Sequence, residues 1–250
     1  NIMMAATIAK GKTIIENAAL EPEISDLASS LNKMGAKIKI EKNGVIKIIG
    51  VKKLKKANHK IMSDRIVAGT FVIAAVILSK KFEVKGIESK HLEALTSSLK
   101  KMGANLKIKK NAIQIMHSKN LNGIKIQTAP YPGFPTDLQA QIMALMSLAK
   151  SNSQIKENIF ENRFMHVPEL NRLGAKIKVK KDIAYISGNR KLKGAQVMAS
   201  DLRASVSLVL AALSAEGESV INRVYHLDRG YEKIEHTLGK LGPSIKREKY

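Results

Sequence analysis

The 250 residues contain no cysteine and no tryptophan. Without cysteine, disulfides, thiolate metal sites and thiol nucleophiles are all excluded from the chemistry this chain supplies. Aromatic residues make up only 4% of the sequence, too few to build the stacking platforms on which unpaired bases are held. Acidic residues are scarce as well: 21 Asp and Glu stand against 43 Lys and Arg, a formal charge of +22. No apolar run reaches the roughly 18 residues of a spanning helix; the longest, residues 71–78, stops before Lys80 and Lys81. The sequence opens Asn1-Ile2-Met3-Met4, without a charged segment followed by an apolar run and cleavage site. A soluble, cytoplasmic protein is the expectation.

The positive charge first suggests nucleic-acid binding, but its pattern argues otherwise. Lysines alternate with apolar residues, as in Lys37-Ile38-Lys39-Ile40 and Lys176-Ile177-Lys178-Val179, the signature of half-buried strands with a solvated face. A phosphorylated, anionic small molecule gains from the same field. Six histidines, at 59, 91, 117, 166, 226 and 236, lack the paired spacing of a zinc site, so surface or supporting roles are expected and no metal. Neither a Walker nor a dinucleotide glycine loop is present, nor a nucleophile elbow.

A fourfold internal repeat organises the chain. Its marks are Leu31-Asn-Lys-Met-Gly35, Leu99-Lys-Lys-Met-Gly103, Asn171-Arg-Leu-Gly174 and Leu238-Gly-Lys-Leu-Gly242, with the glycines 68, 71 and 68 residues apart. That period suits a small α/β unit. Each unit reads as a buried helix (residues 2–9, 66–78, 138–149 and 202–215), a strand (13–15, 82–84, 154–155 and 219–221), a second helix, and one or two further strands. Glycine at each mark suits a left-handed helix C-cap. The pattern is thus helix, strand, helix, strand, strand. After Gly242 only residues 245–250 stand where earlier copies have a strand pair, and the first copy has no leading strand or aspartate; a piece of a larger protein is the expectation.

Aspartates precede three of the four long helices, as Asp64, Asp137 and Asp201, where a carboxylate accepts from unpaired amides. Capping suffices for Asp64. Asp137 follows a proline-crowded loop, Pro130-Tyr-Pro-Gly-Phe-Pro135, of the kind that holds functional groups rigidly. Asp201 is followed by Arg203 at a helix start, a setting that favours anions. Lys90, Arg163 and Arg229 lie at the entry to the second helix of three units. Packed about a pseudo-symmetry axis, Arg163, Arg203 and Arg229 would converge on one anion, which guanidinium forks grip bidentately.

The stretches Phe134-Pro-Thr-Asp-Leu-Gln-Ala-Gln141, Phe160-Glu-Asn-Arg-Phe-Met-His166, Ala195-Gln-Val-Met-Ala-Ser-Asp-Leu-Arg-Ala-Ser205 and Tyr225-His-Leu-Asp-Arg-Gly-Tyr-Glu232 resemble the UDP-N-acetylglucosamine 1-carboxyvinyltransferases. The likeness runs from Asn1 to about Lys249. It implies an α/β protein of enolpyruvyl transferase type: two domains, each an inside-out α/β barrel of three repeat units. Residues 1–61 would be the last unit of the first domain. Residues 62–250 would be the second domain, lacking one strand donated from the N-terminal segment. The implied reaction moves an enolpyruvyl group from phosphoenolpyruvate to the sugar 3-hydroxyl and releases phosphate, at the start of peptidoglycan synthesis and without a cofactor.

By the same resemblance, Asp137 meets the sugar hydroxyl and Asp201 lies near the reacting carbon, as the catalytic pair. Ile159 offers a backbone contact to the sugar nucleotide, with Phe160 beside it. Arg203 and Arg229 hold the phosphoenolpyruvate carboxylate and phosphate, and Arg163 joins their cluster. The family's cysteine loop, N-terminal lysine and asparagine, and first-domain arginines have no counterpart here, so this chain alone is expected to be inactive and to need the N-terminal portion. Shikimate-3-phosphate enolpyruvyl transferases, a basic nucleic-acid binder and an inactive remnant are the rival readings.

Overall fold

The computed structural model describes residues 1–118, 120–188 and 191–248. They fall into two compact units, Asn1–Ser63 with Pro130–Pro132, and Asp64–Ala129 with Gly133–Tyr250. In the first, α1 (Ile2–Ile8), β1 (Lys12–Ile15), α2 (Pro22–Lys33), β2 (Lys37–Ile40) and β3 (Ile46–Ile49) follow in order. The strands form an antiparallel sheet in the order β1-β3-β2. Alternation turns Ile46 and Ile48 of β3 inward onto Met3, Ala6, Ala28 and Leu31 of the two helices.

The second unit repeats this plan twice in full and a third time without the final strand pair among the described residues. Its elements are α3 (Arg65–Ile77), β4 (Phe82–Lys85), α4 (Glu93–Lys101), β5 (Leu106–Lys109) and β6 (Ala112–Ile115). Next come β7 (Lys125–Gln127), α5 (Gln139–Met146), β8 (Ser153–Lys156), α6 (Val167–Arg172), β9 (Lys176–Lys180) and β10 (Ile183–Ser187). The last copy is β11 (Gln196–Met198), α7 (Leu202–Ala212), β12 (Val220–Asn222) and α8 (Ile234–Gly239). The sheets run β4-β6-β5, β7-β8-β10-β9 and β11-β12. Helices α3, α5 and α7 pack against one another, and every residue of α5 is buried, which is why these segments are apolar all round. No helix among the described residues is long and apolar enough to cross a membrane.

The repeat glycines 35, 103, 174 and 242 have φ between +92° and +105°, the left-handed region that a side chain strains. In three copies the next residue closes the cap by donating its N–H back to the helix: Ala36 to Leu31, Ala104 to Leu99, and Ala175 to Leu170. Pro243 has no N–H, and so the fourth copy ends without that bond.

Two expectations need correction. Two of the four copies have a further strand at the head: β7 pairs parallel with β8 across α5, and β11 parallel with β12 across α7. The first long helix of each copy also stops earlier than its apolar run, α5 at Met146 and α7 at Ala212, because hydrophobic residues continue into the turn that lies over the core. Residues 245–248 form no strand; the expectation for Lys249 and Tyr250 lies outside the described residues.

Candidate functional site

Aspartates 64 and 201 cap their helices as their position suggests. Asp64 accepts from the Ile66 and Val67 amides at 2.7 and 2.9 Å, and Asp201 from the Arg203 and Ala204 amides at 2.8 and 3.0 Å. Asp137 does not. A 3-10 turn, Thr136–Leu138, precedes α5, which places Asp137 inside the turn and sends its carboxylate outward to two cations. Arg163 donates to Oδ1 at 2.8 Å and Arg203 to Oδ2 at 2.7 Å. All three side chains are partly screened from water, at 37%, 26% and 18% exposure for Asp137, Arg163 and Arg203. The guanidinium of Arg163 also lies 4.9 Å from the centre of the Phe160 ring, a cation–π contact that fixes its plane.

The structure therefore brings Asp137, Arg163 and Arg203 together, from three separate segments of the second unit. Ile159 and Phe160 are 37% and 53% exposed and line, with Arg163, Glu157, Lys181 and Asp182, an open cleft of about 1050 Å³. Arg229 is exposed in the 3-10 turn Val224–Arg229 and has no ion-pair partner among the described residues. Lys90 pairs with Glu88 at 2.8 Å. No group of three acidic or histidine residues able to hold a metal occurs among the described residues.

Four supporting residues were not singled out in the sequence, although Gln141 and Tyr231 lie within the motif stretches. Tyr231 hydrogen-bonds Thr70 at 2.7 Å, and Gln141 donates to Thr70 at 3.3 Å and to the Asp137 carbonyl at 2.8 Å. Burial pushes the Tyr231 hydroxyl above its ordinary pKa, against the opposing pull of Thr70 and Arg203. The hydroxyl thus stays protonated beside Arg203. The fourth is Glu157, only 4% exposed, which accepts from two threonines and two backbone amides. His166 belongs to the same neighbourhood and is likewise buried rather than at the surface. Burial lowers its pKa to about 4, with Arg163 adding to that shift and Asp201 opposing it. At neutral pH it is an uncharged ring beside the charged cluster.

Such a site offers a carboxylate held between cations, a second carboxylate at a helix head, and exposed positive charge nearby. That is an arrangement for an anionic substrate and for proton transfer from a hydroxyl. Comparison with known proteins gives it a family. Residues 1–238 match the family described as EPSP synthase (3-phosphoshikimate 1-carboxyvinyltransferase). The UDP-N-acetylglucosamine 1-carboxyvinyltransferase of Pelagibacter ubique (strain HTCC1062) is 53% identical over 247 residues, covering 99% of this chain and 59% of the relative. That of Paramagnetospirillum magneticum (strain ATCC 700264 / AMB-1) is 52% identical over 250 residues, covering 100% and 58%. This chain therefore spans a little under three-fifths of the length of these relatives.

Among solved structures, the enolpyruvyl transferase NikO from Streptomyces tendae superimposes with a TM-score of 0.84 at 26% identity, covering 95% of this chain and 57% of that one. EPSP synthase from Acinetobacter baumannii, at 20% identity and a TM-score of 0.76 over 98% of this chain and 60% of that one, shares the fold. With the repeated α/β units, the apolar α3, α5 and α7, and this match along nearly the whole sequence, the chain belongs to the EPSP synthase family of enolpyruvyl transferases and has their inside-out α/β fold.

Proposed function

We propose that the protein carrying this chain transfers the enolpyruvyl group of phosphoenolpyruvate to the 3-hydroxyl of UDP-N-acetylglucosamine, releasing phosphate in the cytoplasm at the first committed step of peptidoglycan synthesis. The observation that carries the reading is the Asp137 carboxylate held between Arg163 and Arg203. Relatives above 50% identity named for this activity support the choice of acceptor over shikimate 3-phosphate.

The chemistry runs as follows. Protonation of the methylene carbon of phosphoenolpyruvate makes the adjacent carbon electrophilic, and the sugar hydroxyl oxygen bonds to it while its proton passes to a base. Asp137 is that base. Arg203 and Arg229, with Arg163 beside them, hold the carboxylate and phosphate of the donor and stabilise charge there. Asp201 offsets the positive character of the reacting carbon. The tetrahedral adduct then loses a methyl proton and phosphate to leave the enol ether.

On this reading residues 1–61 complete a first domain and residues 62–250 form the second, with one strand donated from the N-terminal portion. Support comes from the sheets: β7 lies beside β8 in the third copy, whereas β4 is the edge of a three-stranded sheet. The cysteine proton donor of the family also lies in that portion. The expected result is no phosphate release by this chain alone with both substrates, and release when a relative's N-terminal fragment is supplied. Turnover by the chain alone would refute the division of the site. Silence of a folded mixed complex would refute the activity.

A further inference from the structure

We infer that Glu157 is a positioning residue for the acceptor substrate, fixing the Ile159 backbone relative to the Asp137 carboxylate; this rests on the function proposed above. The carboxylate lies directly after β8, and its four hydrogen bonds come from three places in the chain. Oε1 accepts from the Thr128 hydroxyl at 2.8 Å, the Ile159 amide at 2.9 Å and the Phe160 amide at 3.2 Å. Oε2 accepts from the Thr136 hydroxyl at 3.0 Å. Thr128 is engaged further, taking a bond from the Asn158 amide at 2.8 Å and, through its carbonyl, another from the Asn158 side chain at 3.1 Å.

A carboxylate this buried is costly unless donors replace its water. Here they do, and three of the four are drawn from the two segments that bear the candidate site. Thr136 is the residue before Asp137. Ile159 and Phe160 form the rim of the cleft, with Arg163 three residues on. The one carboxylate therefore sets the distance between the general base and the rim.

It also sets a direction. The amides of Ile159 and Phe160 both point at Glu157, and the peptide joining them is trans. In a trans peptide the carbonyl lies opposite to the following N–H, so the Ile159 carbonyl faces away from Glu157. That leaves one backbone acceptor turned away from the buried carboxylate, at a part of the rim where Ile159 is 37% exposed. Donors on the sugar nucleotide are the groups it would meet. Of the phosphoenolpyruvate cations, Arg203 and Arg229 are attached to other segments and only Arg163 shares this one, so the acceptor should respond to loss of Glu157 much more than the donor does.

The test is steady-state kinetics of the full-length protein with each substrate varied in turn. Glu157→Ala is expected to raise KM for UDP-N-acetylglucosamine about tenfold or more, the loss of a good hydrogen bond's worth of binding. KM for phosphoenolpyruvate should stay within about twofold and kcat within about threefold. Thr136→Val and Glu157→Gln each remove one of the four bonds, the glutamine because its NH2 cannot accept from Thr136, and each should move the same KM alone and by less. If the alanine variant does not fold, the valine and glutamine variants carry the test. Equal changes in both KM values, or none in a folded variant, would overturn the inference. A wild-type protein that does not use this acceptor would instead overturn the functional reading on which the inference rests.

Discussion

Replacing Asp137 with alanine is expected to lower kcat of the full-length protein by about a thousandfold, within the range for loss of a general base. Asparagine should fare no better. Its amide preserves the shape and can still accept one guanidinium bond, but it takes no proton from a sugar hydroxyl. A purely structural Asp137 would give the opposite pattern, with asparagine close to wild type and alanine impaired. Single-turnover phosphate release from the two variants separates these cases. Alanine should also cost about 1–2 kcal/mol of stability, because Arg163 and Arg203 lose the charge that neutralises them; partial exposure keeps this below the cost of breaking a fully buried pair. Urea unfolding of the chain reads that loss directly.

The second large effect is on stability in acid. The folded protein keeps His166 neutral until pH falls to about 4, whereas in the unfolded chain the imidazole starts from the ordinary value of 6.5. Between those values the unfolded state binds a proton that the folded state does not, so acid favours unfolding. The contribution is complete above pH 6.5, declines as pH falls through the window, and changes no further below about 4. Integrated over the window it amounts to about 3 kcal/mol. Carboxylates titrate near the lower end, so the measurement is the difference in unfolding free energy between wild type and His166→Asn at pH 7 and at pH 4.5. The gap between the two proteins should shrink or reverse on acidification; a gap independent of pH would show that the His166 imidazole binds its proton alike in the folded and unfolded states.

Much of the scaffold is legible because it is periodic. The glycines at 35, 103, 174 and 242 recur at intervals of 68 to 71 residues, and each has the positive φ that a C-cap requires. The apolar helices could be placed because α3, α5 and α7 pack on one another and leave little room for polar residues. The strands β7 and β11 escaped notice because each has three residues, too few to display alternation.

The candidate site divides along the same line. Asp137, Arg163 and Arg203 were reached through motif resemblance and the chemistry of charged groups at helix entries, and the structure joins them. Glu157 was not reached, since a glutamate after Ile155-Lys156 reads as surface charge. What buries it are Thr128 and Thr136, 29 and 21 residues away in sequence, and no local pattern announces them. Of the two roles expected for the histidines, surface or supporting, local sequence did not say which His166 takes, because its buried environment is assembled by tertiary packing around Asp201 and Arg163.

The lysine ladder has a colloidal consequence. Strands β2, β5 and β9 each lie at the margin of their sheet, and each presents one outward β-branched residue at the same repeat position, Ile40, Ile108 and Val179, at 39–40% exposure. An open margin with such residues is a template for a strand from another molecule. Exposed lysines flank them, Lys39 beside Ile40, Lys107 and Lys109 about Ile108, and Lys178 and Lys180 about Val179, so two approaching margins repel before they pair. That protection reaches only as far as the ionic atmosphere allows, about 10 Å at 0.1 M salt and 3 Å at 1 M. Light scattering of the chain is therefore expected to show self-association rising from 0.1 M to 1 M salt, as the screening that dilute buffer leaves weak removes the repulsion between lysine-flanked margins.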